Sequence, residues 1–120
     1  MAREFAIERR DDGRFLGRIG LIVWDTSEWR QATLAEAGDR AQPELGWALA
    51  RAHWGCGYAT EAALTVREWA RRERGIERLI SLIHPDNERS RSLARRLGAV
   101  PIETVTLFDS GPAEVWVHPL

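Results

Sequence analysis

Between Arg3 and Arg10, apolar Phe5 and Ile7 alternate with Glu4 and Glu8, the two-residue period of a half-exposed edge strand. Asp12-Gly13 is a hairpin turn signal. Phe15 to Trp24 then reads as a second strand, with Ile19, Leu21 and Val23 on one face and Ile22 and Trp24 on the other. Apolar residues on both faces imply partial cover on each side of the sheet. Residues 25–43 are less regular. Ser27 to Ala37 suggests a short helix stopped by Gly38-Asp39, and Pro43 precedes a compact strand, Glu44 to Leu49, carrying Leu45, Trp47 and Leu49.

The period changes after residue 57. Ala59, Ala62, Ala63, Val66, Trp69 and Ala70 recur at helical intervals, with Glu61, Arg67, Glu68, Arg71 and Arg72 on the wetter side, so a helix is expected from Tyr58 to about Arg74, ended by Gly75. Leu79 to Ile83 is a short apolar strand. His84-Pro85-Asp86-Asn87 breaks it and opens a second helix, with Leu93, Ala94 and Leu97 as its apolar stripe and Gly98 as its stop. Ile102–Phe108 and Ala113–His118 form an expected hairpin around Asp109-Ser110-Gly111-Pro112. The order β-β-(short helix)-β-α-β-α-β-β describes an α/β (α+β) domain with mixed strand directions. It does not describe a doubly wound dinucleotide fold, because the glycines follow the third strand and no ribose-binding acid stands about 20 residues on within another strand.

Length and charge narrow the function. At 120 residues the chain suits one domain spanning residues 1–120. With 17 Lys+Arg against 18 Asp+Glu, it has no general attraction for nucleic acid or an anionic membrane, so neither is an expected partner. Cys56 is the single cysteine, which excludes an intramolecular disulfide and a cysteine-rich metal site; no metal is expected. No apolar run approaches the roughly 20 residues that span a bilayer, and MAREFAIERR has no secretory h-region, so a cytoplasmic enzyme or binding domain is the expectation. Six tryptophans suit a pocket, an interface or the core.

The candidate chemistry centres on Trp54-Gly55-Cys56-Gly57-Tyr58-Ala59-Thr60-Glu61-Ala62. A strand, a glycine turn and a helix start would aim successive unpaired N–H groups into one concavity, where they and the aligned peptide dipoles favour an anion. Glycine permits positive φ and lets a phosphate approach the backbone. The same residues read equally as a plain turn and helix cap. The Gly-Lys-Ser/Thr ending of a nucleoside triphosphate loop is missing.

GWALARAHWGCGYATEA followed by HPDNERSRSLARRLGA resembles the acetyl-coenzyme A binding core of the GNAT acyl-CoA N-acyltransferases. The nearest branch is the RimJ/RimL-type one, which acetylates ribosomal-protein N-termini and related amines. The family turn, Gln/Arg-x-x-Gly-x-Gly/Ala, falls with its glycine positions on Gly57 and Ala59 and its first position on Trp54; a tryptophan followed by glycine resembles this branch. The family's Asn-x-x-Ser falls on Asn87 and Ser90, and Ala99 stands where an aromatic residue is usual. The resemblance implies a mixed central sheet and a pyrophosphate cradle made by Trp54, Gly55, Cys56, Gly57, Tyr58, Ala59 and Thr60. It also implies pantetheine amides paired with Gly46, Trp47 and Ala48, an Asn87 hydrogen bond to the pantetheine arm, and Arg89 or Arg91 on the phosphates. Arg95 and Arg96 are then the wet face of the second helix.

The implied reaction moves acetyl from acetyl-CoA to a primary amine, a protein N-terminal α-amine or a small-molecule amine, by direct attack in a ternary complex. Such a reaction needs a base for the ammonium, a polarised carbonyl and an acid for the thiolate. Glu44 is the expected base, directly or through water. Ser90 is the expected acid, with Ser92 and His84 as alternatives, because the tyrosine many family members carry seven residues after the asparagine is Ala94 here. A nucleophilic Cys56 would need an activating base, and Cys56 is expected to fill the turn instead. The usual N-terminal strand and helices, much of the acceptor wall in the family, are lacking, and a homodimer is expected to complete it. The alternative reading is a coenzyme A binding module, degenerate in catalysis, with a regulatory role.

Overall fold

A computed structural model of the chain describes residues 3–49 and 57–120. Seven strands form one sheet, ordered β1-β2-β4-β5-β7-β6, with the two-residue β3 hydrogen-bonded to β2. β1 (Arg3–Glu8) and β2 (Phe15–Asp25) make the first hairpin, in which Gly13 takes a left-handed φ of 70° and donates its N–H to the Arg9 carbonyl at 2.8 Å. β4 (Ala41–Leu49) runs antiparallel to β2 from Gly17 to Asp25, and parallel to β5 (Ile80–Ile83). β7 (Gly111–Val117) lies between β5 and β6 (Val100–Leu107), antiparallel to both.

Residues 25–43 differ from the sequence expectation of a helix across 27–37. The helix α1 is one turn, Leu34–Ala37, and a 3₁₀ turn, Gly38–Arg40, follows; Arg30–Gln31 instead fold back as β3. Local side-chain bonds decide this. The Asp25 carboxylate accepts from the Ser27 N–H at 2.9 Å and from the Ser27 hydroxyl at 2.7 Å, a turn that competes with helix formation. Thr33 and Glu36 then close a reciprocal capping box, which fixes the helix start at Leu34. β4 begins three residues before the expected start, with Pro43 inside the strand opposite Val23.

Helix α2 (Tyr58–Arg74) begins and ends on left-handed glycines, Gly57 and Gly75. Its buried residues Ala63, Val66 and Ala70 lie on Ile19, Leu21, Leu45 and Leu79 of the sheet side. Leu16, Leu21, Leu45 and Leu79 are fully buried, and each contributes on the order of 2 kcal/mol through apolar burial. Helix α3 (Glu88–Arg96) starts on Asn87, whose side-chain oxygen accepts from the Ser90 N–H at 3.1 Å. Cross-strand register assigns the sheet faces. Leu21 and Leu45 are opposite one another and face α2, as do Ile19 and Trp47. Glu44 is opposite Ile22 of β2 on one side and Ile80 of β5 on the other, so all three point to the other face. Among the described residues no helix is long and apolar enough to cross a membrane.

Candidate active site

The site begins where the two parallel strands part. Among the described residues β4 and β5 are in register at one pair, Glu44 opposite Ile80. Just beyond it, side chains bridge the gap that a continued ladder would close. The Ser81 hydroxyl donates to the Leu45 carbonyl at 2.6 Å, and the Leu82 N–H donates to Glu44 Oε2 at 2.8 Å. Past this point Gly46, Trp47 and Ala48 are released from β5 while still paired to β2. A β-carbon added at Gly46 would meet nothing within 4 Å.

Two neighbouring openings lie along this divergence. A cleft of about 250 Å³ lies between the strands, lined by Glu44, Gly46, Trp47, Ser81, Asn87 and Ser90 among others. A larger one of about 590 Å³ shares Trp47, Asn87 and Ser90 and extends along Ala48 of β4, Gly57, Ala59 and Thr60 at the α2 start, and Arg96 at the end of α3. Gly57 holds φ 79° and ψ 0° at the N-cap of α2, with nothing among the described residues within 4 Å of a built β-carbon. The helical ladder opens with the Glu61 N–H donating to the Gly57 carbonyl, so the N–H groups of Ala59 and Thr60 precede it. Backbone donors, a helix dipole and a glycine that leaves open space fit a phosphate group, and the β4 edge fits an extended amide chain. The donor set therefore fits coenzyme A.

Glu44 is 6% exposed, and its carboxylate accepts from Trp24 Nε1–H at 2.9 Å as well as from Leu82. Burial pushes its pKa above the usual carboxylate range, against the opposing effect of those two donors. It stands inside β4, not at the start of a strand. The Ser90 hydroxyl oxygen accepts from Trp47 Nε1–H at 3.2 Å, and among the described residues its own proton has no recorded acceptor. Ser90 reaches both openings, whereas Ser92 lines the larger one. His84 sits at the rim, where its Nδ1 accepts the Asp86 N–H at 3.0 Å and so shapes the turn into α3. Asn87 keeps its side-chain nitrogen free of bonds to described residues while its oxygen caps the helix.

Other expected residues fall differently. Trp54, Gly55 and Cys56 lie outside the described residues. Tyr58 directs its side chain into a separate groove of about 610 Å³ between β1 and α2, against Arg9, so any contribution to the phosphate cradle comes from its backbone. Arg89 is exposed and lines the larger cleft. Arg91 is ion-paired with Glu88 at 2.6 Å and Glu114 at 2.9 Å, which removes it from the phosphate role. Arg95 pairs with Glu88 at 2.9 Å. Arg96 is exposed, as expected of the wet face, and also lines the cleft. The helical period alone distinguishes it poorly from Arg95, since the two are adjacent. Ala94 and Ala99, where the resemblance anticipates aromatic residues, are both buried with Ile83 against Trp116, whose indole takes up this part of the core.

The comparisons with known proteins agree with this architecture. A sequence profile described as the acetyltransferase (GNAT) domain matches residues 1–100, and the chain belongs to that family. The uncharacterised protein YkkB of Bacillus subtilis is 31% identical over 102 residues, covering 85% of this chain and 53% of YkkB. An acetyltransferase crystal structure from Agrobacterium tumefaciens superposes with a TM-score of 0.76 at 25% identity, covering 99% of this chain and 61% of that one. A candidate ribosomal-protein-serine acetyltransferase from Vibrio cholerae shares the fold, with a TM-score of 0.74 at 18% identity over 98% of this chain and 64% of that one. The chain thus spans about half of its curated relative and about three fifths of these solved structures.

Proposed function

We propose that residues 1–120 act as one acetyl-CoA-dependent N-acetyltransferase domain, with the coenzyme in the divergence between β4 and β5. The observation that carries this reading is a pair of adjoining openings that share Trp47, Asn87 and Ser90, one reaching Glu44 and Gly46 and the other the α2 start at Gly57. The coenzyme supplies an acetyl thioester, on which a neutral primary amine forms the amide while the thiolate leaves. Gly46, Trp47 and Ala48 offer backbone groups to the pantetheine arm, Asn87 its side-chain nitrogen, and Ala59 and Thr60 their N–H groups to the pyrophosphate, with Arg89 and Arg96 beside it. Trp54, Gly55, Cys56 and the backbone of Tyr58 belong to the same proposed cradle.

Glu44 serves as the base for the amine, directly or through one water. Its burial raises the carboxyl pKa toward the working pH, the direction that improves a general base. Ser90, its oxygen held by the Trp47 indole, has a proton to give to the thiolate. Holding the reactants in line contributes further rate.

The proposed acceptors are protein N-terminal α-amines, as in the ribosomal-protein branch. The Trp54-Gly55 pair of the turn and the shared fold of the Vibrio protein support that choice. A homodimer is also proposed, supported by β1 at one end of the sheet with a partner strand on its β2 side; a monomer alone by light scattering counts against it. One observation favours a second reading, a coenzyme A binding module without turnover: position 94 is a fully buried alanine with no acid to offer. A thiol-release assay with acetyl-CoA and a panel of N-terminal peptides, polyamines and small amines separates the two. Amine-dependent release of coenzyme A supports the transferase; tight coenzyme binding with no release across the panel supports the module.

A further inference from the structure

Behind the cleft, a largely buried chain of hydrogen bonds links α2, the end of α3, the end of β7, β5 and β4. Arg67, on α2, directs Nη1 both to the Leu97 carbonyl at 2.6 Å and to His118 Nδ1 at 3.3 Å. His118, just past β7, approaches the Ser81 hydroxyl with Nε2 at 2.7 Å, and Ser81 lies 2.6 Å from the Leu45 carbonyl. The directions of donation follow from the proton inventory. An arginine only donates, so His118 Nδ1 is an acceptor and the ring proton sits on Nε2. Nε2–H then donates to the Ser81 oxygen, which leaves the single hydroxyl proton of Ser81 for Leu45. Burial and the Arg67 cation together bring the His118 pKa down to about 4, in keeping with a neutral ring. Both Ser81 and His118 are almost fully buried, and the His118 N–H is anchored on the Leu79 carbonyl of the β5 approach.

We propose that Ser81 and His118 are a positioning pair that holds β4 at its distance from β5 and seats Trp47, thereby setting the width of the coenzyme cleft. The pair acts at the point of divergence, because Leu45 follows the one registered β4–β5 residue and precedes Gly46. His118 also meets the Trp47 ring edge-on, with centroids 6.4 Å apart and planes at 84°. That indole in turn donates to Ser90. One histidine therefore fixes both the strand edge offered to the pantetheine arm and the indole that holds the proposed acid. A serine at 81 fills this role by its length: its hydroxyl reaches the β4 carbonyl, where a backbone donor of β5 would draw the strands together.

The inference rests on the coenzyme lying in this cleft, and the test separates the two. Coenzyme A affinity is measured by calorimetry for the whole chain, for Ser81→Ala, His118→Phe and Ser81→Thr, and for Val23→Ala as a buried control away from the cleft. The Trp47 indole N–H resonance, assigned with Trp47→Phe, is followed in parallel. Ser81→Ala and His118→Phe should each weaken coenzyme A about tenfold, the change expected on losing one net hydrogen-bond equivalent, and shift the Trp47 resonance in the free protein. His118→Phe keeps an aromatic edge for Trp47, and Ser81→Thr keeps the hydroxyl and should restore most of the affinity. Val23→Ala should lower the melting temperature with coenzyme affinity unchanged. Wild-type affinity and an unmoved Trp47 resonance in both Ser81→Ala and His118→Phe overturn the positioning pair alone, as does an equal loss of affinity in Val23→Ala. No binding of coenzyme A by the unmodified chain overturns the proposed function as well.

Discussion

Gly57→Val isolates the phosphate cradle from the rest of the cleft. Gly57 holds φ 79° and ψ 0° at the start of α2, and a β-carbon there meets no heavy atom within 4 Å. Among the described residues the free protein therefore meets no clash, and the cost is conformational. A left-handed residue other than glycine costs about 1–2 kcal/mol, and a β-branched one sits at the upper end. For a chain of this size that lowers the melting temperature by roughly 4–8 °C. Binding suffers more. The valine methyl groups enter open space beside Ala59 and Thr60, where an anion would approach the helix start. Losing one charge-assisted hydrogen bond costs about 1.5–3 kcal/mol, so coenzyme A affinity should fall about 10–100-fold. Calorimetric titration with coenzyme A reads the affinity, and a thermal melt reads the strain. Gly57→Ala carries a similar backbone cost with a smaller side chain, and should bind better than Gly57→Val. Coenzyme A binding by Gly57→Val at wild-type affinity would refute the cradle.

Three further outcomes follow from the same geometry. Glu44→Gln should lower kcat while leaving coenzyme affinity within about twofold, since Glu44 faces away from the helix-covered side; kcat unchanged at every pH removes it as the base. Ser90→Ala should reduce turnover about a hundredfold with coenzyme binding retained, the lower end of a general acid's contribution; unaltered turnover dismisses the donor role. The folded pKa of His118, about 4, lies below its unfolded value of 6.5, so the unfolded chain takes up the proton first as pH falls. Its contribution to stability is present above pH 6.5 and declines toward pH 4, by about 2 kcal/mol between pH 7 and pH 5. Urea unfolding at these two pH values should show that loss in the wild type and a smaller one in His118→Gln; equal losses contradict the neutral, buried ring.

How much of this was legible in the chain depends on the range of the interactions involved. Helix α2 matches the expected Tyr58 to Arg74 because its apolar period and both flanking glycines are local signals. The Phe15 to Trp24 alternation similarly anticipated Ile19 and Leu21 in the core under α2, whereas Leu16, fully buried in the same core, is not part of that alternation. Residues 27–37 misled because the Asp25–Ser27 turn and the Thr33–Glu36 box are side-chain decisions that a hydrophobic period does not carry. The candidate site divides in the same way. The residues around Gly57 and Asn87 could be assembled from motif resemblance, but the environment of Glu44 could not. Its carboxylate is held by Trp24, 20 residues before it, and by Leu82, 38 residues after it. Ser81 and His118 belong to no motif, and their pairing exists through the register of β5 with β7. Arg95 and Arg96 are both exposed as expected, but which of the two borders the cleft depends on how α3 is seated, which the helical period does not carry.

The central claim is that coenzyme A occupies the divergence of β4 and β5, and a crystal structure of the chain with coenzyme A tests it most directly. The account predicts pantetheine density along the backbone of Gly46 to Ala48, with the pyrophosphate at the N–H groups of Ala59 and Thr60. Density for the coenzyme in the groove between β1 and α2, with the β4–β5 divergence empty, would contradict it.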